Sequence, residues 1–197
     1  MNIAIFGGSF NPVHMGHYEI VHHLLQTRDF LRVIIVPTHQ NPLKTAPPVI
    51  PDQIRLQMIE NTFHEFGPVD ISDVEVRSQS VSYSYKTLTH FKNKYPDDQL
   101  FLILGEDSFA SFPQWAKIET ILALSNILVF PRPDLRSSEI PVPFFHGFEK
   151  YVTWLDITIP NISATRIRDN DIDIVSENNW LHPSALMNWK AYKQTQL

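Results

Sequence analysis

Short apolar, β-branched runs alternate along this chain with stretches of helical periodicity, and no other feature narrows the fold as far. The runs are IAIF (3–6), RVIIVP (32–37), VDISDVEV (69–76), QLFLILG (99–105), NILVFP (126–131) and LDITIP (155–160). Each has the length and residue types of a strand. Helix-spaced apolar positions fall between them, at 16–27, 52–65, 84–94 and 114–124, with a last set at 183–193. Repeated strand and helix imply crossover connections, which produce a parallel sheet with helices on both faces. The expected fold is α/β, a doubly wound parallel sheet of about six strands with a small C-terminal helical part. Sheets of this kind bind ligands beyond the carboxyl ends of their strands, where the winding reverses. Loops that follow strands are therefore the place to look for chemistry.

Bulk properties remove several function classes. A length of 197 residues with 43% hydrophobic content supports one core, so a single domain is expected, with 1–168 as its body and 169–197 as a helical tail. The net charge of -5 argues against a nucleic-acid partner, which needs clustered Lys and Arg; an anionic ligand must be met locally. Cysteine is absent, which removes disulfides, thiolate zinc and Cys nucleophiles and suits a reducing compartment. No apolar run approaches the ~20 residues of a membrane span, and no basic-then-apolar leader opens the sequence, so a soluble cytoplasmic protein is expected. Two loops are long for their positions, 38–53 and 132–150, and long ordered loops are often lids or binding loops.

The stretch GGSFNPVHMGH (7–17) follows the first strand and runs into the first turn of a helix, and it holds three of the chain's six glycines. Backbone N–H groups and the positive helix end then point at the crevice, and Gly7 and Gly8 let a phosphate approach the main chain. The spacing is neither the dinucleotide fingerprint nor the Walker pattern. His14 and His17, three apart, can face one side, where a polyphosphate would draw charge-assisted hydrogen bonds from them. With His22 and His23 nearby, a metal site stays open as an alternative, although no H-E-x-x-H arrangement is present. Near the other end, NISATRIRDN places Ser163 and Thr165 at a helix start and Arg166 and Arg168 just inside it. Cations in a first turn oppose the helix dipole unless an anion lies opposite.

Together, GGSFNPVHMGH and ISATRIR resemble the H-x-G-H and I-S-x-T-x-I-R signatures of the nucleotidyltransferase superfamily. The likeness extends through NPLK (41–44), Arg55 and Leu56, SYSYKTL (82–88), LGEDSFASFPQW (104–115) and FPRP (130–133), and within the superfamily it is nearest to the bacterial nicotinate-nucleotide adenylyltransferases. It covers residues 1 to about 168 and departs at Leu43, where many members carry a histidine, and in the glycine-free tail.

The resemblance implies a Rossmann-like fold and transfer of AMP from ATP to nicotinic acid mononucleotide, with pyrophosphate as the second product. It implies His14, His17 and Arg168 as catalytic residues, and an ATP site formed by these with Gly7, Gly8, Ser9, Phe10, Gly105, Asp107, Ile162, Ser163 and Thr165. For the mononucleotide it implies Asn41, Lys44, Ser82, Tyr83, Ser84, Tyr85, Trp115 and Arg132. Lys44 and Arg132 would meet the phosphate, Trp115 would stack on the pyridine ring, and N–H groups of 82–85 would meet the carboxylate. Mg²⁺ would accompany ATP, held mainly by phosphates and water rather than by protein ligands. A homo-oligomer stays open. Rival readings are another small-molecule adenylyl- or cytidylyltransferase, with nicotinamide mononucleotide or phosphopantetheine as acceptor, and a nucleotide-binding regulator without chemistry.

Overall fold

Six strands pair side by side in the structure, a computed structural model that describes residues 1–27, 29–131 and 148–196. They are β1 (Asn2–Gly8), β2 (Arg32–Pro37), β3 (Val69–Ile71), β4 (Gln99–Gly105), β5 (Ser125–Phe130) and β6 (Val152–Trp154). All pairings are parallel and the order is β3-β2-β1-β4-β5-β6. This is the Rossmann-like order, in which the chain winds one way from β1 to β3 and the other way from β4 to β6. The reversal lies between β1 and β4, whose carboxyl ends are Gly8 and Gly105.

Alternation along the strands divides the core in two, because successive side chains leave opposite faces of the sheet. Ile3, Ile5, Ile34, Val36, Leu100 and Leu102 face one layer, under Leu88 and Phe91 of α4 (Ser84–Lys94) and Ile121 and Leu122 of α6 (Ile118–Leu124). Ala4, Phe6, Val33 and Ile35 face the other. There α1 (Met15–Gln26) contributes Ile20, Val21 and Leu24, and α2 (Asp52–Phe63) contributes Met58, Ile59 and Phe63. That second layer also takes Val175 of α8 (Ile172–Glu177) and Trp189 and Tyr192 of α9 (Pro183–Gln194).

Three elements differ from the sequence expectation. LDITIP is not the sixth strand; β6 is Val152–Trp154, in register with Ile127, Leu128 and Val129. VDISDVEV is a strand only to Ile71, and Val74–Ser78 is a short helix, α3, stapled by the Asp73–Arg77 ion pair. The helix expected over 114–124 is shortened to α6, since Lys117 adopts a left-handed φ of 60° ahead of it. Before it come α5 (Glu106–Ala110) and a 3₁₀ turn at Phe112–Gln114.

Candidate active site

The loop after β1 is held from behind by donors on three other elements. The Gly8 carbonyl accepts the Thr38 N–H at 2.8 Å, the Ser9 carbonyl accepts Arg55 Nη1 at 2.5 Å, and the Asn11 carbonyl accepts Arg168 Nη1 at 2.5 Å. Carbonyl oxygens repel phosphate, so committing these to protein donors leaves the loop suited to an anion. Phe10 sits in the loop with a left-handed φ of 43°. Such a conformation costs about 1–2 kcal/mol outside glycine. Phe10 is only 2% exposed, packed edge-on to Phe6 at 5.5 Å, and burial of a phenyl ring contributes about 1.5–3 kcal/mol. Packing therefore holds the turn. An added Cβ at Gly7 would enter open space, whereas one at Gly16 would lie 3.1 Å from the His14 ring.

His14 and His17 face one another, with ring centroids 3.8 Å apart and His14 buried. The His14 backbone N–H donates to Nδ1 of His17 at 3.1 Å. That bond occupies the Nδ1 lone pair, so neutral His17 carries its proton on Nε2 and donates from there. A second proton on Nδ1 would break it. In this arrangement Nε2 is the ring position from which His17 can donate to an anion.

Opposite lies α7 (Ala164–Arg168), entered through Ser163, whose backbone is extended. The Ser163 hydroxyl accepts the Arg166 N–H at 3.1 Å as the N-cap, and Thr165 Oγ1 accepts Arg168 Nη2 at 3.1 Å. Arg168 therefore bridges its own helix and the β1 loop across 157 residues of sequence. The two arginines differ in place: Arg166 lies over the Trp180 ring, 4.6 Å from its centroid. With five residues α7 is little more than one turn, so Arg166 and Arg168 lie near both of its ends and its dipole decides little. The dipole argument for an anion opposite them thus loses its force, and the Arg168–Asn11 contact takes its place. Ile162 is 7% exposed and belongs to the core, so only its main chain is left for a ligand.

The second substrate region is a seam between the 38–53 loop and the start of α4. Gln40 pairs with Val81, the Ser82 N–H donates to the Gln40 carbonyl at 2.9 Å, and the His39 N–H donates to Ser82 Oγ at 3.1 Å. Asn41 folds the loop: its side chain accepts the Leu43 N–H at 2.8 Å and its carbonyl the Lys44 N–H at 3.1 Å, which leaves Lys44 exposed. Within 82–85 the Ser82 N–H is spent on Gln40, so Ser84 and Tyr85, at the helix N-terminus, carry the amides suited to an anion. Trp115 and Tyr85 pack on the same core layer; Trp115 is half-buried, and its indole N–H reaches Ser111 Oγ at 3.4 Å. At β4 the Asp107 carboxylate lies over Gly105, where an added Cβ would be 2.5 Å from Oδ1. Arg132 lies outside the described residues.

Several residues at the site carry no motif signal. Arg55 is fully buried and donates to the Ser9 carbonyl, the Thr38 carbonyl at 2.9 Å and Asp52, whose other oxygen contacts His39 Nδ1 at 2.9 Å. Burial pushes the Asp52 carboxyl up, but hydrogen bonds from Arg55 and His39 outweigh it and hold it below its ordinary range. Burial lowers the Arg55 guanidinium against the pull of Asp52. Glu75, in α3, is faced by the hydroxyls of Thr87, Ser82 and Thr38; burial raises its carboxyl above the ordinary value against those bonds. Of these, only Arg55 was visible as part of a resemblance. Among the described residues no group of three His, Cys, Asp or Glu is placed to hold a metal ion, and no helix is long and apolar enough to cross a membrane.

Known proteins resemble this chain in sequence and in fold. The cytidylyltransferase-like family profile matches residues 5–170. A "Probable nicotinate-nucleotide adenylyltransferase" of Clostridium novyi is 33% identical over 169 residues, 84% of each chain. A protein of the same description from Flavobacterium johnsoniae is 34% identical over 170 residues, 86% of each. Among solved structures, the Plasmodium falciparum nicotinic acid mononucleotide adenylyltransferase complexed with NaAD superposes with a TM-score of 0.78, covering 97% of this chain and 95% of that one at 20% identity. On the family match and the identity across most of both chains, this protein belongs to the cytidylyltransferase-like family, in the branch that holds these nicotinate-nucleotide adenylyltransferases.

Proposed function

We propose that this protein, acting as one nucleotidyltransferase domain, transfers AMP from ATP to nicotinic acid mononucleotide, forming nicotinic acid adenine dinucleotide and pyrophosphate. The observation that carries the reading is the contact of Arg168 with the Asn11 carbonyl, which sets the cation of one motif against the loop of the other. Curated relatives in the same branch support the choice of acceptor.

A phosphate oxygen of the mononucleotide bonds to the α-phosphorus as the bond to the bridging oxygen breaks, and pyrophosphate leaves with that electron pair. The nucleophile is already anionic, so the protein has to position two polyanions and oppose the charge that develops on the leaving group. The His17 Nε2–H, the Ser163 and Thr165 hydroxyls and Arg168 supply that opposition; His14 holds His17 by ring contact and by its backbone N–H. Gly7, Gly8, Ser9 and Phe10 shape the phosphate loop, and Asp107 over Gly105 takes ribose hydroxyls. Lys44 and Arg132 meet the acceptor phosphate, Trp115 stacks on the pyridinium, and the α4 amides meet the carboxylate.

Mg²⁺ fits this crevice as the companion of ATP, because imidazoles, hydroxyls and a guanidinium meet phosphate oxygens and leave the cation to phosphate and water. When bound it neutralises charge on the β- and γ-phosphates. Small charged substrates suit a cytoplasmic setting. Pyrophosphate release should be measured with ATP and, in turn, nicotinic acid mononucleotide, its amide, phosphopantetheine or no acceptor. Release with the acid form at least about tenfold above the others is expected. Preference for another acceptor would overturn the substrate, and no release with any would favour a nucleotide-binding regulator.

A further inference from the structure

Outside the motifs, one carboxylate is bonded by a hydroxyl of α4 and has the hydroxyls of two connecting segments beside it. Glu75 in α3 accepts the hydroxyl of Thr87, in the first turns of α4, and the hydroxyls of Ser82 and Thr38 lie beside its carboxylate. Thr38 directly follows β2. Its N–H donates to the Gly8 carbonyl and its own carbonyl accepts Arg55, so it is fastened at both ends to the phosphate loop and its clamp. Ser82 has one hydroxyl proton. Given to Glu75, it leaves the Ser82 oxygen lone pairs for the His39 N–H, which they accept at 3.1 Å. The Ser82 N–H then closes on the Gln40 carbonyl at 2.9 Å.

A carboxylate is the side chain suited to this place, because it only accepts and offers lone pairs to several donors at once. Threonine and serine hydroxyls rotate freely unless an acceptor chooses their direction. With Glu75 as the shared acceptor, the 39–41 strand-like segment, residues 81–82 and the entry to α4 adopt a single arrangement. We infer that Glu75 is a positioning residue for acceptor-substrate binding: through Thr87, and with the Ser82 and Thr38 hydroxyls beside it, Glu75 holds the α4 amides in register with the phosphate loop. The inference rests on reading that seam as the mononucleotide wall. Glu75 touches no substrate and acts through these hydroxyls.

The test uses the full chain with Glu75→Gln, Glu75→Ala and Ser82→Ala. Gln keeps size and one oxygen but exchanges an acceptor for a donor, so Glu75→Gln retains the fold where Glu75→Ala fails to. KM for nicotinic acid mononucleotide should rise about tenfold or more in Glu75→Gln, with kcat and KM for ATP within about twofold. Amide hydrogen exchange should quicken at 39–41 and 81–85 and stay unchanged at 7–11 and 88–94. Glu75→Gln combined with Ser82→Ala should be no worse than the more severe single variant, since both cut one relay. A folded Glu75→Gln with wild-type KM and wild-type exchange would overturn the inference, as would equal rises in both KM values. If the wild-type chain does not use nicotinic acid mononucleotide, the substrate reading falls alone. Exchange at the two segments still decides whether Glu75 pins them.

Discussion

At the scale of single residues, the site depends on which atoms are already committed. His17 has one ring nitrogen occupied by the His14 N–H, so its value to a phosphate is the single proton on Nε2. Replacing His17 by Ala removes a donor aimed where charge develops, an effect of about 10²–10³ on turnover. Because the ring is only half-buried, the urea midpoint should move little. Steady-state kinetics beside urea unfolding separates the two, and unchanged turnover in the variant would remove His17 from the mechanism. Gly105 is needed for room rather than for backbone freedom: its φ is an ordinary -73°, but a Cβ would lie 2.5 Å from Asp107 Oδ1 and 3.0 Å from the Phe130 ring. Gly105→Ala should therefore displace Asp107 and raise KM for ATP about tenfold, with KM for the mononucleotide much less affected. Arg55 shows what residue-by-residue reading of a sequence misses. A charged residue in the helix expected over 52–65 gives no sign of burial, and only the fold reveals that three acceptors surround it. Arg55→Met should cost about 1–3 kcal/mol in urea unfolding, because the Ser9 and Thr38 carbonyls lose a buried donor and Asp52 keeps only His39.

At the scale of elements, periodicity reported burial faithfully and pairing less so. LDITIP alternates because Leu155, Ile157 and Ile159 turn toward the core while Asp156, Thr158 and Pro160 face out. The segment follows a ladder that is nearly used up: Val152–Trp154 pair with Ile127, Leu128 and Val129, and the Leu155 N–H makes the last bond, to the Val129 carbonyl at 2.8 Å. In the same way VDISDVEV keeps its valines inward after Ile71, but β3 pairs only with Val33, Ile34 and Ile35, and Asp73 starts a helix there. The helix turns Glu75 toward Thr87. The β1 loop, α1 and α7 were legible since their signals are local: glycines, a cap, a fixed spacing. Long-range acceptors for Arg55 and Glu75 leave no local trace. Helix α9 offers a test by pH. Burial holds the His182 imidazole below its ordinary 6.5, with Glu65 opposing and His64 reinforcing the shift. Its Nδ1 accepts the Ser184 N–H at 3.4 Å as the N-cap, and its ring stacks on Tyr18 at 5.4 Å. The unfolded chain binds this proton more readily than the folded one. Its contribution is therefore complete above 6.5 and is lost as pH falls through the lower folded value. His182→Asn caps without titrating, so urea midpoints followed between about pH 5 and 7.5 should fall less steeply toward acid in the variant.

For the whole molecule, the C-terminal helices join the parts of the site that the sheet alone leaves apart. The Trp180 carbonyl accepts the Met15 N–H at 2.9 Å at the start of α1, Tyr192 Oη donates to the Val49 carbonyl at 3.3 Å in the second loop, and Lys193 Nζ donates to the Arg168 carbonyl at 3.2 Å. Each tie reaches a different site segment. Asn61 and Asn188 meet at 2.6 Å between α2 and α9, and Trp189, 1% exposed, lies in the same core layer as Phe6 and Ile35. Truncating Trp189 to Ala removes a large buried ring and should cost about 3–5 kcal/mol, a large share of the roughly 5–15 kcal/mol that holds a domain folded. Lys193→Met, by contrast, removes one polar tie from a partly exposed side chain and should leave the urea midpoint within about 0.5 kcal/mol of wild type. If the helices hold the site as well as the core, Lys193→Met should still raise KM for ATP two- to threefold, since Arg168 loses the donor that fixes its carbonyl. A chain ending after Asn170 should show no cooperative unfolding, because the layer that covers α1 and α2 would be open to water. Cooperative unfolding of that shortened chain, with ATP still bound at wild-type affinity, would mean that α1, α2 and the 38–53 loop are held without the C-terminal helices.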